Sequence, residues 1–485
     1  MEYQSTRNKM LTASSTQAVL QGLAPDGGLY VTAGLENFDW QSTLTLTTLQ
    51  MAEKILGFLL PEFRDMGALV KAAYEGKFET EELTPLVPVG NKYVLELFRG
   101  PTSAFKDVAL SMLPQLITAA REQEGVTDKI LILTATSGDT GKAALAGFQD
   151  VPGTGIIVFY PAGGVSAVQK KQMVSQEGAN VCVCAVEGNF DDTQTGVKEI
   201  FAKGIKENCG VRLSSANSIN IGRLAPQVVY YFKAYSDLLK LGRIRTGDPV
   251  DFVVPTGNFG DILAGYFAKR MGLPVGRLIC ASNRNDVLTD FLATGTYDRR
   301  RPFYRTISPS MDILVSSNLE RLLWLLCRKE EEVAGYMQDL KEKGVYTVSP
   351  ELLQKLQAEF AYGCCSEEET KAAIGKVWQE YGYLMDTHTA VAYDVARQYK
   401  AACPDHAPVV ILSTASPYKF PAAVLSALGE TPHEDEFRVM YRLNELTGVP
   451  IPFGLATLEK KPELHRHCIG KEQMAGFVLE RVSDQ

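Results

Sequence analysis

The chain has 485 residues, of which 45% are hydrophobic and 22% charged, and its formal net charge is −8. That composition excludes disordered, collagen-like and membrane-spanning classes. The acidic balance, with no long Lys/Arg run, also argues against a nucleic-acid partner. The length exceeds what one hydrophobic core usually supports, so two or three compact units are expected.

In chain order, the opening MEYQSTRNKM lacks the apolar core of a signal peptide, and no window approaches the ~20 apolar residues of a membrane helix. A cytoplasmic location without a membrane partner is the expectation. Nine scattered cysteines lack the density and spacing of a disulfide scaffold and suit a reducing compartment. Residues 1–80 read as a separate, mostly helical N-terminal unit, with helical spacing in TLTTLQMAEKILGFLLPEF and a glycine-rich turn in GLAPDGGLYV at 22–31.

FRGPTSAFKDVALSML (98–113) places a Gly-Pro turn and small residues ahead of a helix that begins near Lys106. Partial burial of that lysine would favour its neutral amine, the form that attacks an aldehyde; the alternative is a surface lysine in a first helical turn. KILILTAT (129–136) is a buried strand by its β-branched run, and it leads into Ser137, Gly138, Asp139, Thr140 and Gly141, a loop of small donors suited to a carboxylate. GDTGKAA mimics a nucleotide-phosphate loop, but Thr136 and Ala143 stand where that motif needs Gly and Ser/Thr, so a triphosphate site is rejected.

GIIVFY (155–160) and NVCVCAVEG (180–188) are further strands. Cys182 and Cys184 share one face of the second, as core residues would. PVDFVVPTG (249–257) runs into Gly257, Asn258, Phe259 and Gly260 and then a helix. In this geometry backbone N–H groups and a helix N-terminus cradle an anion; a glycine turn made only for packing is the alternative. RLICASN (277–283) is another strand.

Arg299, Arg300, Arg301 and Arg305 form the densest basic cluster, read as a solvated face, with a rim attracting an anionic substrate as the alternative. SSNLERLLWLLCRKEEEVAGYMQDLKEKG (316–344) has helical spacing, and PVVILSTASPYKF (408–420) is a late strand and loop able to return to the sheet. Cys364 with Cys365, and His465 with His467 and Cys468, lack zinc-site spacing, so no metal is expected.

Strands alternating with helices define an α/β fold with parallel sheets flanked by helices, where ligands bind in loops at the strands' carboxyl ends. A reactive lysine, a phosphate cradle and a carboxylate loop on such a scaffold suit pyridoxal phosphate. FRGPTSAFKDVAL, TATSGDTGKAAL, NSINIGRLAPQ, VPTGNFGDILAGY and LSTASPYKFP resemble the ordered motif set of threonine synthases, and STR with GLAPDGGLYV resembles that family's N-terminal domain. The resemblance implies a two-lobed pyridoxal-phosphate fold of type II, similar to the tryptophan synthase β class. The core would span 81–430, between the N-terminal domain at 1–80 and a packed C-terminal extension at 431–485.

It further implies a synthase turning O-phospho-L-homoserine and water into L-threonine and phosphate, as a monomer or homodimer. By motif, Lys106 would form the Schiff base, Gly257 to Gly260 would hold the cofactor phosphate, and Thr414 would hydrogen-bond the pyridine nitrogen. Ser137, Gly138 and Thr140 would hold the substrate's carboxylate or phosphate, and Asn217, Ser218 and Arg223 its phosphate; a guanidinium suits the last role. Relatives of the fold often carry Asn where this chain has Asp139, facing the cofactor's phenolic oxygen. A carboxylate there would repel an anion unless protonated or turned away. A related lyase giving 2-oxobutanoate and ammonia, and a noncatalytic binding protein, are the alternatives.

Overall fold

The apolar runs at 129–136, 155–160 and 180–188 are neighbours in one sheet of the computed structural model, which describes residues 2–136, 138–163, 165–204, 210–404 and 407–483. The sheet has five parallel strands in the order His467–Ile469, Val181–Val186, Thr154–Pro161, Lys129–Ala135 and Val211–Ser214. Helices cover a parallel sheet on both sides, which is why these strands are apolar almost throughout. Cys182 and Cys184 face a cluster formed with Phe159, Val197, Met474 and Phe477, in keeping with a packing role.

A second sheet has six strands in the order Phe360–Cys364, Val275–Ser282, Val250–Pro255, Val409–Ser413, Lys92–Glu96 and Leu86–Val89. All neighbours are parallel except the last pair. The late strand therefore returns to the middle of this sheet, with Val253 beside Ile411 and Leu412 beside Leu95. These side chains are fully buried, each contributing about 1.5–3 kcal/mol.

The N-terminal region forms a three-stranded antiparallel sheet (Thr12–Ala13, Tyr3–Ser5, Tyr30–Val31) and the helices Ser15–Gln21, Thr48–Leu59 and Met66–Tyr74. Ser14 and Thr47 cap the first two helices with reciprocal boxes. Its apolar face is continuous with the rest of the molecule. Ile55, Leu56 and Val70 belong to the same buried cluster as Leu113 and Leu116 of the Lys106–Gln123 helix and Leu224 and Tyr231 of the Ile221–Lys240 helix.

Two features depart from sequence expectation, and the basic cluster follows it. The helical pattern at 316–344 breaks into Leu319–Cys327 and Glu330–Glu342 because Arg328 turns left-handed, with φ 57°. The Leu86–Val89 and Lys92–Glu96 hairpin was not anticipated. The basic cluster is partly neutralised: Arg300 pairs with Asp298, and Arg301 with Asp286 and Asp290, as a solvated face would. No described helix is long and apolar enough to cross a membrane.

Candidate active site

The loop 98–105 is stitched to the end of the Val409–Ser413 strand: Phe105 donates its N–H to the Thr414 carbonyl at 2.8 Å, and Ser416 donates to that of Ser103 at 3.1 Å. Asp107 closes the loop from below, accepting the Thr102 N–H at 2.8 Å and the Thr102 hydroxyl at 2.5 Å. A Cβ on Gly100 would lie 2.5 Å from that of Asp107, so only glycine fits the turn. Lys106 is therefore delivered as the first residue of its helix, half-buried, with Nζ 4.6 Å from the Phe105 ring centroid.

Burial pushes the Lys106 ammonium down to about 8; Asp139 opposes this, while Arg223 and Lys419 add to it. About a quarter of such an amine is neutral at pH 7.5, against about one part in a thousand for an ordinary lysine.

Thr136 folds the next loop by accepting the N–H groups of Gly138 at 3.0 Å and Gly141 at 2.9 Å. Gly138 has φ 140°, and a Cβ there would sit 2.4 Å from Gln169, so the turn requires glycine. Asp139 and Thr140 open the Asp139–Phe148 helix at the carboxyl end of the Lys129–Ala135 strand, Asp139 buried and Thr140 half-buried. Ser137 lies outside the described residues.

The surroundings of Asp139 favour its carboxylate form. Burial raises its affinity for a proton, but Lys419, then Lys106 and the hydrogen bonds from Lys419 and Gln169, outweigh burial and hold the carboxyl well below the usual range. Lys419 Nζ lies 2.9 Å from Asp139 Oδ1, both side chains being inaccessible to solvent, and Gln169 donates to the same oxygen at 3.0 Å. Lys419 was missed from sequence although it stands inside LSTASPYKFP, because a lysine in a polar loop carries no sign of depth.

The glycine loop follows the Val250–Pro255 strand. Phe259 adopts φ 62°, rare for an aromatic residue, and is held there because its ring is fully buried, 5.7 Å from that of Phe360. With the ring buried, only its backbone is available to an anion. Gly260 opens the Gly260–Arg270 helix, whose N-terminal donors face the loop. A Cβ on Gly260 would lie 3.7 Å from that of Ser218, so the loop and the NSINIGR segment are adjacent.

Residues 316–318 bind them together. Ser316 Oγ donates to the Gly257 carbonyl at 2.8 Å, and Asn318 donates its N–H to Asn258 O at 3.0 Å. The Asn318 side-chain amide donates to the carbonyls of Asn258 at 3.2 Å and Ser218 at 3.1 Å. Asn217 and Ser218 are half-buried.

Arg223, in the first turn of the Ile221–Lys240 helix, is only 3% exposed, and burial pushes its guanidinium down to about 10. Nη1 donates to the Ala216 carbonyl, but Nε is buried without a hydrogen-bond partner, and no carboxylate among the described residues pairs with it. A surface arginine is thereby ruled out. A buried cation without a counter-ion is costly unless the site supplies an anion. Among described residues, Cys365, Glu369 and Asp394 bring potential metal-ligand atoms together, but Glu369 caps its helix through Ser366 and Asp394 pairs with Arg397.

The family model described as "Pyridoxal-phosphate dependent enzyme" matches residues 78–355. This is the class that the fold and site define, and its cofactor is pyridoxal phosphate. Models for the threonine synthase N terminus and C-terminal region match residues 2–84 and 389–468. The chain is 39% identical to a pyridoxal-phosphate-bound threonine synthase from Brucella melitensis, over 100% of this chain and 99% of that one, with a TM-score of 0.86. With threonine synthase from yeast it shares 34% identity over 100% and 99% of the chains, with a TM-score of 0.88. Human threonine synthase-like 1 is 40% identical over 92% of this chain, which spans 62% of that protein's length. The chain belongs to the threonine synthase family.

Proposed function

We propose that this protein is a threonine synthase, converting O-phospho-L-homoserine and water into L-threonine and phosphate. The observation that carries the reading is Arg223: a buried guanidinium without a counter-ion, electrostatically coupled to Lys106, fits a phosphorylated substrate better than a neutral amino acid. Asn217 and Ser218 add neutral donors beside it, and Gly138 and Thr140 offer a helix N-terminus to the substrate's carboxylate.

The cradle fits the cofactor as well. Phe259's left-handed backbone and the start of the Gly260–Arg270 helix turn N–H groups of 257–260 toward a phosphate. Lys106 is the aldehyde's attachment point, and the Thr414 hydroxyl stands for the ring nitrogen. A neutral hydroxyl partner leaves that nitrogen largely unprotonated. When bound, pyridoxal phosphate supplies an electron sink for charge that develops at the substrate's Cα.

The chain's own residues do the remainder. Lys106, freed when the substrate takes its place, removes the Cα proton and serves again for proton shifts at Cβ and Cα; its lowered proton affinity suits a base working near neutral pH. Arg223 holds the phosphate as it leaves the γ-carbon, and water adds at Cβ.

Incubating the enzyme, loaded with pyridoxal phosphate, with O-phospho-L-homoserine should release phosphate and threonine in equal amounts. Phosphate accompanied by 2-oxobutanoate and ammonia, without threonine, would replace the synthase reading with a lyase.

A further inference from the structure

Three carboxyl groups and two cations face Lys106, from five elements: Asp107 on its own helix, Asp139, Asp261, Arg223 and Lys419. Among the described residues none of the carboxylates lies within ion-pair distance of Lys106, and each has partners of its own. Asp107 accepts the two Thr102 donors, and Asp261 accepts the hydroxyls of Tyr230 and Tyr231 on Oδ1, its Oδ2 being buried without a hydrogen-bond partner among the described residues. Asp139, with both lysines nearby, pairs with Lys419.

The Lys419 ammonium is fully satisfied. Its three protons have three acceptors: Asp139 Oδ1 at 2.9 Å, Gln172 Oε1 at 2.6 Å and the Thr102 carbonyl at 3.2 Å. Gln172 and Gln169, three residues apart on the Ala167–Val174 helix, reach the pair from one face, and Gln169 donates to Asp139. A lysine at zero exposure in this coordination is held rigidly, and its tie to Thr102 sets it against the loop that delivers Lys106.

We propose that Lys419 is a positioning residue that occupies Asp139 as a buried counter-ion, so that the Lys106 amine is left without a carboxylate partner. Were Asp139 free to turn to Lys106, the ammonium would be paired and stabilised, and the amine that takes up an aldehyde would become scarce at neutral pH. Lys419 prevents this doubly, by claiming the carboxylate and by placing a second positive charge near the first. The inference rests on Lys106 being the aldehyde's attachment point.

The test is the pH dependence with which the cofactor-free protein captures pyridoxal phosphate, followed by absorbance, with borohydride trapping and peptide mass spectrometry to locate the modified lysine. Capture by the wild type should rise through a midpoint near 8. Lys419→Met should move the midpoint up by about one unit or more, cutting capture at pH 7.5 about tenfold with recovery in alkali. Asp139→Asn should move it below the wild type, and the double variant should return it close to wild type.

A purely structural role for Lys419 would lower stability or the capture plateau without moving the midpoint. An unshifted midpoint in Lys419→Met, or a double variant that fails to restore it, overturns the proposal. Should Lys419→Met not fold, Asp139→Asn and the double variant decide alone: a midpoint that rises in Asp139→Asn is the contrary result. Trapping on another lysine would instead remove the assignment of Lys106, a separate failure.

Discussion

At the scale of single residues, Arg223 separates function from stability. Among the described residues its buried Nε has no partner and no carboxylate pairs with the guanidinium, a charge that a bound anion would compensate. Arg223→Met should therefore leave the thermal midpoint of the cofactor-free protein unchanged or raised, while the further protection that inorganic phosphate gives the protein already loaded with pyridoxal phosphate disappears. Affinity for the phosphorylated substrate should fall by about 2–5 kcal/mol, a factor of about thirty to several thousand, read as KM together with calorimetric phosphate binding. A variant that loses stability yet still binds phosphate would show that the guanidinium is structural.

Local structure at the candidate site was legible where chemistry and backbone coincide, as in the partial burial of Lys106 and the glycine turn at Gly138. Lys419, Gln169 and Gln172 were not, because their significance lies in burial and in a meeting of segments some 250 residues apart in sequence.

At the scale of elements, the short run before the Leu319–Cys327 helix sets the 257–260 loop, the proposed cofactor cradle. A peptide's C=O and N–H point in opposite directions, so fixing the carbonyls of Gly257 and Asn258 through Ser316 and Asn318 aims the N–H groups of Asn258 and Phe259 to the other side. Asn318→Ala removes the side-chain amide that holds Asn258 and Ser218 while keeping its backbone donor. It should weaken pyridoxal phosphate binding by about 1–2 kcal/mol and shift the phosphorus resonance of the bound cofactor, whereas a substitution of equal stability cost far from the loop should leave that resonance in place.

The strands around this run were readable from their β-branched stretches, since a parallel sheet buried on both faces leaves a continuous apolar signature. The 86–96 hairpin escaped because Pro88, Gly90 and Asn91 break that signature in antiparallel strands at the sheet edge. Residues 316–321 escaped for another reason: SSNLER has the pattern of an ordinary helix start, and Ser316, Asn318 and Arg321 hold the neighbouring segments largely through backbone carbonyls, which every residue type presents alike.

At the scale of the whole molecule, the N-terminal region and the two sheet-bearing lobes share one apolar cluster, and Arg321 is one of the buried side chains that tie them together. Arg321, fully buried, donates to the carbonyls of Tyr30 and Ile219 and to the side chain of Asn318, so it joins the N-terminal sheet, the NSINIGR segment and the run that holds the 257–260 loop. Unfolding should accordingly be a single transition in which Trp40 of the N-terminal region and Trp324 and Trp378 of the later helices report together. Two transitions separated by more than a few degrees, in single-tryptophan variants monitored by fluorescence, would mean that the regions fold independently.

The position of His467–Ile469 beside Val181–Val186 has a consequence during synthesis. Nearly three hundred residues must follow the second of these strands before its partner exists, which at ordinary ribosomal rates is about 15–60 s. Through that interval the nascent chain exposes an apolar strand edge of the kind that pairs with other chains. Yield in the cell should therefore depend on chaperone supply and growth temperature more steeply than the stability of the finished enzyme would suggest.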